Sequence, residues 1–380
     1  MTYELFLRIS IHMFTETAPR SRHTITRRVL GSGLIDLLTG PHGVDRYTEI
    51  ANPVWTINDA RAEIVAAERR TPRSVTLTLR PNRAFTGFKA GQHINLSVEI
   101  DGRRQTRCYS PASSQHAGHG LIELTVGLHD GGLVSTYLRE NAKPGLIVGL
   151  DGVGGDFVIA DERPAQIVLV SGGSGITPVL SMLRTLCDEG HTGDVAFIHY
   201  ARTAAEACYR EDLETLTARH PNVRVLHGFT RETTGTDLHG RFGVEHLATA
   251  MPAGHVNAEV YACGPPALVE AVRDTCGERV RHESFVPPVF VIPDEPSGGR
   301  LTFAASSVQA VDDGRSLLEQ AEAAGLTPAN GCRMGICHTC TCRKTRGAVR
   351  NLITGAVSTT DDEDVQICIS APLGDVELAI

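Results

Sequence analysis

Gly331-Cys332-Arg333-Met334-Gly335-Ile336-Cys337-His338-Thr339-Cys340 is the stretch from which the rest of this chain is read. Its cysteines are spaced Cys-x4-Cys-x2-Cys, and Cys368 follows 28 residues after Cys340. A close triplet lets one loop wrap a metal centre while a distant strand closes the site. Four thiolates at this spacing hold a single 2Fe–2S cluster. Gly331 and Gly335 carry no Cβ, so the backbone can approach the sulfides and point N–H donors at them. Zinc is the rival occupant, but structural zinc usually takes two short Cys pairs. Buried, inert thiols are the bland alternative. The expected metal ligands are Cys332, Cys337, Cys340 and Cys368. Cys342, two residues past Cys340, fits no ligand slot and reads as structural.

Composition narrows the setting. A chain of 380 residues suggests about two to three domains. Its formal charge of −8 argues against nucleic acid as a partner. Ten cysteines could mean disulfides, yet the six outside the cluster show no framework spacing, so a reducing cytoplasm is expected. No apolar stretch reaches the roughly 18 residues of a membrane span. The apolar start, Met1 to Phe14, has neither a basic leader nor a small-residue cleavage site, and makes a poor signal peptide.

Five segments follow along the chain. Residues 1–59 read as an extension with a basic cluster (Arg20, Arg22, Arg27, Arg28) and an apolar, helical run from Val29 to Leu38. Such a helix can lie on a membrane surface or pack on the protein's own body. Residues 60–160 carry short alternating strands, Ser74 to Leu79 and Leu121 to Val126 among them, which predict a small antiparallel barrel. Residues 161–288 switch to strand–helix alternation, predicting a parallel α/β sheet with strands at Gln166–Val170, Val195–Tyr200 and Glu259–Ala262. A Pro/Gly-rich linker spans 289–299, and 300–380 holds the cysteines.

Several short motifs carry chemistry. Arg107-Cys108-Tyr109-Ser110 follows a predicted barrel strand and is weak alone. Gly131-Gly132-Leu133-Val134-Ser135 opens a helix whose free N–H groups suit a phosphate; otherwise it is a plain turn with Ser135 as cap. Ser171-Gly172-Gly173-Ser174-Gly175-Ile176-Thr177-Pro178 stands between a strand and a helix beginning near Val179, the form of a dinucleotide-phosphate cradle. Arg202 lies just beyond the next strand, where an arginine can pair with a 2′-phosphate, or is simply solvated. Cys263-Gly264-Pro265-Pro266 sits at the carboxyl end of a strand, where open α/β sheets bind ligands. His282-Glu283-Ser284-Phe285 closes the segment, with Phe285 as a core aromatic or a flavin lid.

Taken in order, these motifs resemble the ferredoxin–NADP reductase superfamily fused to a C-terminal plant-type ferredoxin, over residues 60–380. Ala51-Asn52-Pro53-Val54-Trp55, Cys332 to Lys344 and Ser370-Ala371-Pro372 are further similar to actinobacterial reductases that serve membrane acyl-CoA desaturases. The resemblance implies three folds: a flavin-binding antiparallel β-barrel, a parallel-sheet α/β nicotinamide domain, and an α+β (β-grasp) ferredoxin domain. It implies that Arg107 pairs with flavin phosphate, Tyr109 stacks on the isoalloxazine and Ser110 bonds near N5. Gly132, Val134 and Ser135 would hold a pyrophosphate, favouring FAD over FMN. Gly172, Gly173, Gly175, Thr177, Gly264 and Pro265 would bind the dinucleotide. Cys263 would lie by the nicotinamide C4, and Glu283 and Phe285 on the nicotinamide side of the flavin.

These parts make one expected path. A nicotinamide gives two electrons together, a 2Fe–2S cluster carries one, and a flavin converts between them. No acid–base machinery for a second substrate is visible, so the final acceptor is expected to be a protein. A membrane di-iron desaturase comes first and an aromatic-ring or acyl-CoA oxygenase second. An iron–sulfur redox sensor is the alternative from another class.

Overall fold

The computed structural model describes residues 45, 52–117, 120–129, 131–285 and 298–380. The basic cluster Arg20–Arg28, the run Val29–Leu38 and nearly all of the linker lie outside the described residues. Residues 52–59 run along the first sheet, held by Asn82, whose Nδ2 donates to Val54 O (3.1 Å) and Thr56 Oγ1 (2.7 Å).

The first sheet contains β1 (Arg61–Thr71), β2 (Ser74–Pro81), β3 (His93–Ile100), β4 (Arg103–Tyr109), β5 (Ile122–Gly127) and, after helix α1 (Leu133–Asn141), β6 (Ile147–Gly154). Its order is β4-β3-β6-β1-β2-β5, antiparallel throughout. Alternate residues face one side of a strand. Thus Leu77 and Leu79 of β2, Ile94 and Leu96 of β3 and Leu124 of β5 are buried in one core, with Leu138 of α1 packed into it. Pro111 bridges Leu124, and Ala112 N donates to Glu123 O at 2.8 Å. These contacts bring the two sheet edges together and close the expected barrel.

The second sheet is wholly parallel. It contains β7 (Gln166–Gly172), α2 (Ile176–Asp188), β8 (Asp194–Ala201), α3 (Arg210–Arg219), β9 (Val223–Phe229), α4 (Val244–Ala250), β10 (Glu259–Cys263), α5 (Pro266–Cys276) and β11 (Val280–Glu283). Helix α2 begins at Ile176, three residues before the expected start, with Pro178 in its first turn where a missing N–H is harmless. The strand order β11-β10-β7-β8-β9 reverses between β7 and β10, so the carboxyl ends of those two strands frame a crevice.

A polar network joins the two sheets. Arg184 of α2 donates to Glu123 of β5 and to Asp212 of α3, each at 2.7 Å. Arg70 of β1 donates to the other Asp212 oxygen at 2.6 Å. Both guanidinium groups lie over the ring of Tyr209, at 4.9 and 5.3 Å. The Ser181 hydroxyl donates to Ser113 O at 2.7 Å inside the same interface. Two bridged carboxylates and a stacked ring fix orientation, because each partner constrains the next.

The last sheet is mixed: β12 (Arg300–Phe303), β13 (Val308–Val311), β14 (Thr341–Asn351), β15 (Val357–Ser358), β16 (Glu363–Gln366) and β17 (Ser370–Leu378), ordered β13-β12-β17-β14-β15 with β16 on β14. Helix α6 (Leu317–Ala323) opens with a capping box, Ser316 and Glu319 each bonding the other's backbone. Its Leu317, Leu318 and Ala321 pack onto Leu301, Phe303 and Leu378. A helix laid across a mixed sheet is the α+β form expected for this segment.

Candidate electron-transfer site

The cysteine loop runs from the end of α6 to the start of β14. Met334, Ile336 and Cys337 donate their N–H groups to Cys332 Sγ at 3.3, 3.4 and 3.3 Å. Cys332 N donates to Cys337 Sγ at 3.2 Å. Donors converging on sulfur stabilise thiolate, the form that ligates iron. Arg333 (φ 58°) and His338 (φ 56°) both take the left-handed region, which is costly outside glycine and concentrates at functional sites. Gly335 also turns left-handed at φ 76°, and a Cβ there would meet Ile369 Cδ1 at 2.5 Å. Gln366 Nε2 ties the turn down by donating to Gly335 O at 2.7 Å.

Cys340, at the foot of β14, and Cys368, just before β17, form the second half of the site. A hydrogen bond with Cys368 draws the Cys340 thiol down to about 7. The four cysteines therefore stand as two thiol pairs, 332/337 and 340/368. Two irons taking two thiolates each require this donor set, so the loop fits a 2Fe–2S cluster.

A cavity of about 420 Å³ opens where the three sheets meet. From the barrel come Arg107, Cys108, Tyr109, Ser110 and Thr125; from the α1 entrance, His129 and Gly131 to Ser135. Ser174, Thr177, Glu283 and Phe285 come from the parallel domain, and Cys332, Met334 and Ile336 from the cysteine loop. Gly132 caps α1, so the helix begins before Ser135 rather than at it. The Ser135 hydroxyl accepts from His129 N at 3.4 Å and donates to Gly132 O at 3.2 Å, shaping the turn. The first N–H groups of α1 stay open toward the cavity, as an anion requires.

Three polar atoms lining this cavity are buried without a hydrogen-bond partner: Ser110 Oγ, Glu283 Oε2 and His93 Nδ1. Buried polar groups are nearly always satisfied, so three orphans in one cavity call for a polar ligand. An isoalloxazine has the ring face for Tyr109 and the ring nitrogens and carbonyls for these atoms. Burial raises the Glu283 carboxyl to about 7. Burial keeps His93 below its ordinary range, despite the opposing influence of Cys337.

The nicotinamide crevice is built by backbone contact. A Cβ on Gly175 would lie 2.3 Å from Cys263 O, so the glycine loop and the end of β10 touch main chain to main chain. Cys263 is fully buried and pairs in register with Glu283. It forms the floor of the crevice rather than the cavity wall, and burial, then Glu283, pushes its thiol well up. Arg202 stands exposed beyond β8. Arg231, past the end of β9, donates its N–H to Arg202 O at 2.8 Å, setting a second arginine beside it.

Arg107, Tyr109, Ser110, Gly132, Val134, Ser135, Thr177, Glu283 and Phe285 are thus gathered on one cavity, together with Cys332. Gly172, Gly173, Gly175, Gly264 and Pro265 lie at the strand ends beside it. Sequence reasoning missed His93, Thr125, His129, Met334, Ile336 and Arg231. The only available signal was position: Met334 and Ile336 are apolar residues inside the cysteine loop, where a loop that merely wrapped metal would not need them.

Comparisons with known proteins agree with this construction. Residues 65–159 match the oxidoreductase FAD-binding domain family, 169–274 the oxidoreductase NAD-binding domain family, and 303–373 the 2Fe-2S iron-sulfur cluster binding domain family. An NADPH oxidoreductase of Mycobacterium tuberculosis is 36% identical over 352 residues, covering 90% of each chain. The stachydrine N-demethylase reductase subunit Stc4 of Rhizobium meliloti is 30% identical over 332 residues, covering 82% of this chain and 94% of that one. Phthalate dioxygenase reductase, a modular structure for electron transfer from pyridine nucleotides to a 2Fe–2S centre, shares the fold at a TM-score of 0.57, with 21% identity and coverage of 84% and 97%. The chain belongs to the ferredoxin–NADP reductase superfamily, in the branch that carries a C-terminal 2Fe–2S domain.

Proposed function

We propose that this oxidoreductase draws electrons from NADPH and delivers them, through FAD and its 2Fe–2S cluster, to an oxygen-activating partner enzyme. The observation that carries the reading is the shared cavity: Tyr109 and Ser110, Glu283 and Phe285, and Met334 and Ile336 line one space from three domains. A flavin held there would supply the exchange between a two-electron hydride donor and a one-electron acceptor. Tyr109 would hold the ring face, the open helix N-terminus at Gly132–Ser135 would take pyrophosphate, and Ser110 would bond near N5. Glu283, with its carboxyl raised to about 7, can hold a proton beside the ring at neutral pH. Arg202, with Arg231 next to it, offers paired charge-assisted bonds to a 2′-phosphate, which supports NADPH over NADH.

A membrane fatty acyl-CoA desaturase is the finer reading of the partner. It rests on the likeness of residues 51–55, 332–344 and 370–372 to desaturase reductases. Among the described residues no helix is long and apolar enough to cross a membrane; a peripheral contact is proposed for residues 1–59, on the basic cluster Arg20–Arg28 and the apolar run Val29–Leu38. The reductase subunit of a demethylating oxygenase system is the second reading, favoured by the 30% identity to the stachydrine protein. Reconstitution separates them. The purified reductase is combined with a membrane desaturase or with a soluble oxygenase, and NADPH consumed is compared with product formed. Tight coupling with the desaturase supports the finer reading. Coupling only with the soluble enzyme replaces it, and rapid NADPH oxidation with neither contradicts an oxygen-activating partner.

A further inference from the structure

Cys108 stands where no ligand was expected. It lies on β4 between Arg107 and Tyr109, and its sulfur is within 4.8 Å of both Cys332 and Cys337 in the next domain. Its register partner on the neighbouring strand β3 is Asn95. The Cys108 thiol lies 3.1 Å from Asn95 Oδ1, and Asn95 Nδ2 donates to Cys337 O at 3.4 Å. The barrel therefore reaches the cysteine loop through two adjacent polar side chains on neighbouring strands. One touches the loop's backbone and the other its sulfurs. A thiol carries one rotatable proton. Once Cys332 and Cys337 are thiolates on iron, they are stronger acceptors than an amide oxygen, because charge-assisted bonds are the stronger ones.

We propose that Cys108 is a positioning residue for flavin-to-cluster electron transfer, donating a cross-domain S–H···S hydrogen bond to the Cys332/Cys337 half of the cluster while Asn95 pins the same loop to the barrel. The cysteine is the chain neighbour of Tyr109, the residue that would stack on the flavin, and its sulfur is within 4.8 Å of the Cys332 and Cys337 sulfurs. Hydrogen bonds to cluster sulfurs stabilise the added electron and raise the potential. Removing this one leaves the cluster a poorer acceptor from the flavin.

The test uses the full holoprotein with two variants. Cys108→Ala should lower the flavin-to-cluster equilibrium constant about tenfold, which is about 59 mV in a one-electron potential. The change should appear in an anaerobic redox titration of the cluster and as a shifted EPR signal of the reduced centre. Cys108→Ser, which keeps an O–H donor, should recover most of the shift. Wild-type potential and EPR signal in Cys108→Ala overturn the proposal. Equal shifts in Cys108→Ala and Cys108→Ser also overturn it, since a lost donor could not be their cause. A second arm needs no cluster. The cluster-free protein is treated with a diazene oxidant, which takes two protons and two electrons from two thiols to give a disulfide and the hydrazine. Peptide mapping should find Cys108 linked to Cys332 or Cys337. A map holding only bonds within the cysteine loop removes the cross-domain contact and the proposal with it.

Discussion

The cysteine loop and the flavin cavity are built by opposite means. The loop takes three of its four expected thiolates from ten consecutive residues, and the fourth, Cys368, arrives from elsewhere. Its shape follows from local facts: N–H groups folded onto Cys332 Sγ, and left-handed turns at Arg333, Gly335 and His338. The cavity draws its side chains from β3, β4, β5, the α1 entrance, the α2 entrance, the end of β11 and the cysteine loop. No stretch of sequence contains it. A local site depends on a turn, whereas a convergent site depends on three domains meeting correctly. The two should fail differently when damaged.

The sharpest separation comes from Cys337→Ser. It should abolish cluster assembly and cytochrome c reduction while NADPH–ferricyanide activity at the flavin survives, with acid-labile sulfide and both activities measured on one preparation. Equal loss of both would show that the loop also holds the cavity together. Gly175→Val is next, because its side chain would enter the Cys263 backbone. Overpacking of this kind costs about 3 kcal/mol, so kcat/KM for NADPH should collapse while the cluster's visible spectrum remains. A lost cluster spectrum would contradict local failure.

Glu283 gives a smaller effect with a defined pH window. Its folded carboxyl titrates at about 7, above the ordinary 4.5, so the folded protein binds the proton more tightly. The stability from burying a neutral acid is full below about 4.5 and is lost as pH rises toward about 7. In flavin-free protein, denaturant titration at pH 5 and pH 8 should therefore show wild type losing about 2 kcal/mol that Glu283→Gln keeps. Parallel curves for the two proteins would mean the carboxyl is solvated. The smallest expected change is Arg202→Ala, which should raise KM for NADPH about tenfold, one charge-assisted bond's worth, and leave NADH nearly unaffected. A uniform rise for both coenzymes would assign Arg202 to the fold, and a further rise in Arg202→Ala/Arg231→Ala would bring the second arginine into the site.

Legibility in the sequence followed the same division. The Cys-x4-Cys-x2-Cys spacing, the strand–glycine–helix turn at 171–178 and the alternation of β2 and β5 are short-range patterns, and each was readable. The closed barrel needed Pro111 to meet Leu124, a contact that no periodicity encodes. His93 has no motif around it; it matters because β3 carries it against the cavity beside the cysteine loop. Cys263 was readable as a crevice residue, but its burial beneath the Gly175 loop is a packing outcome. The alternative reading of Ser135 as a helix cap follows from serine's preference for that place, yet Gly132 caps the helix three residues earlier and leaves the serine to shape the turn.

The central claim is that the cluster loop is docked on the flavin cavity of its own chain, so electrons pass from flavin to cluster without a second molecule. Anaerobic stopped-flow mixing with NADPH, following the cluster absorbance over a wide range of protein concentrations, tests it directly. A first-order rate of cluster reduction that does not change with protein concentration is the predicted result. A rate that rises in proportion to protein concentration would contradict it.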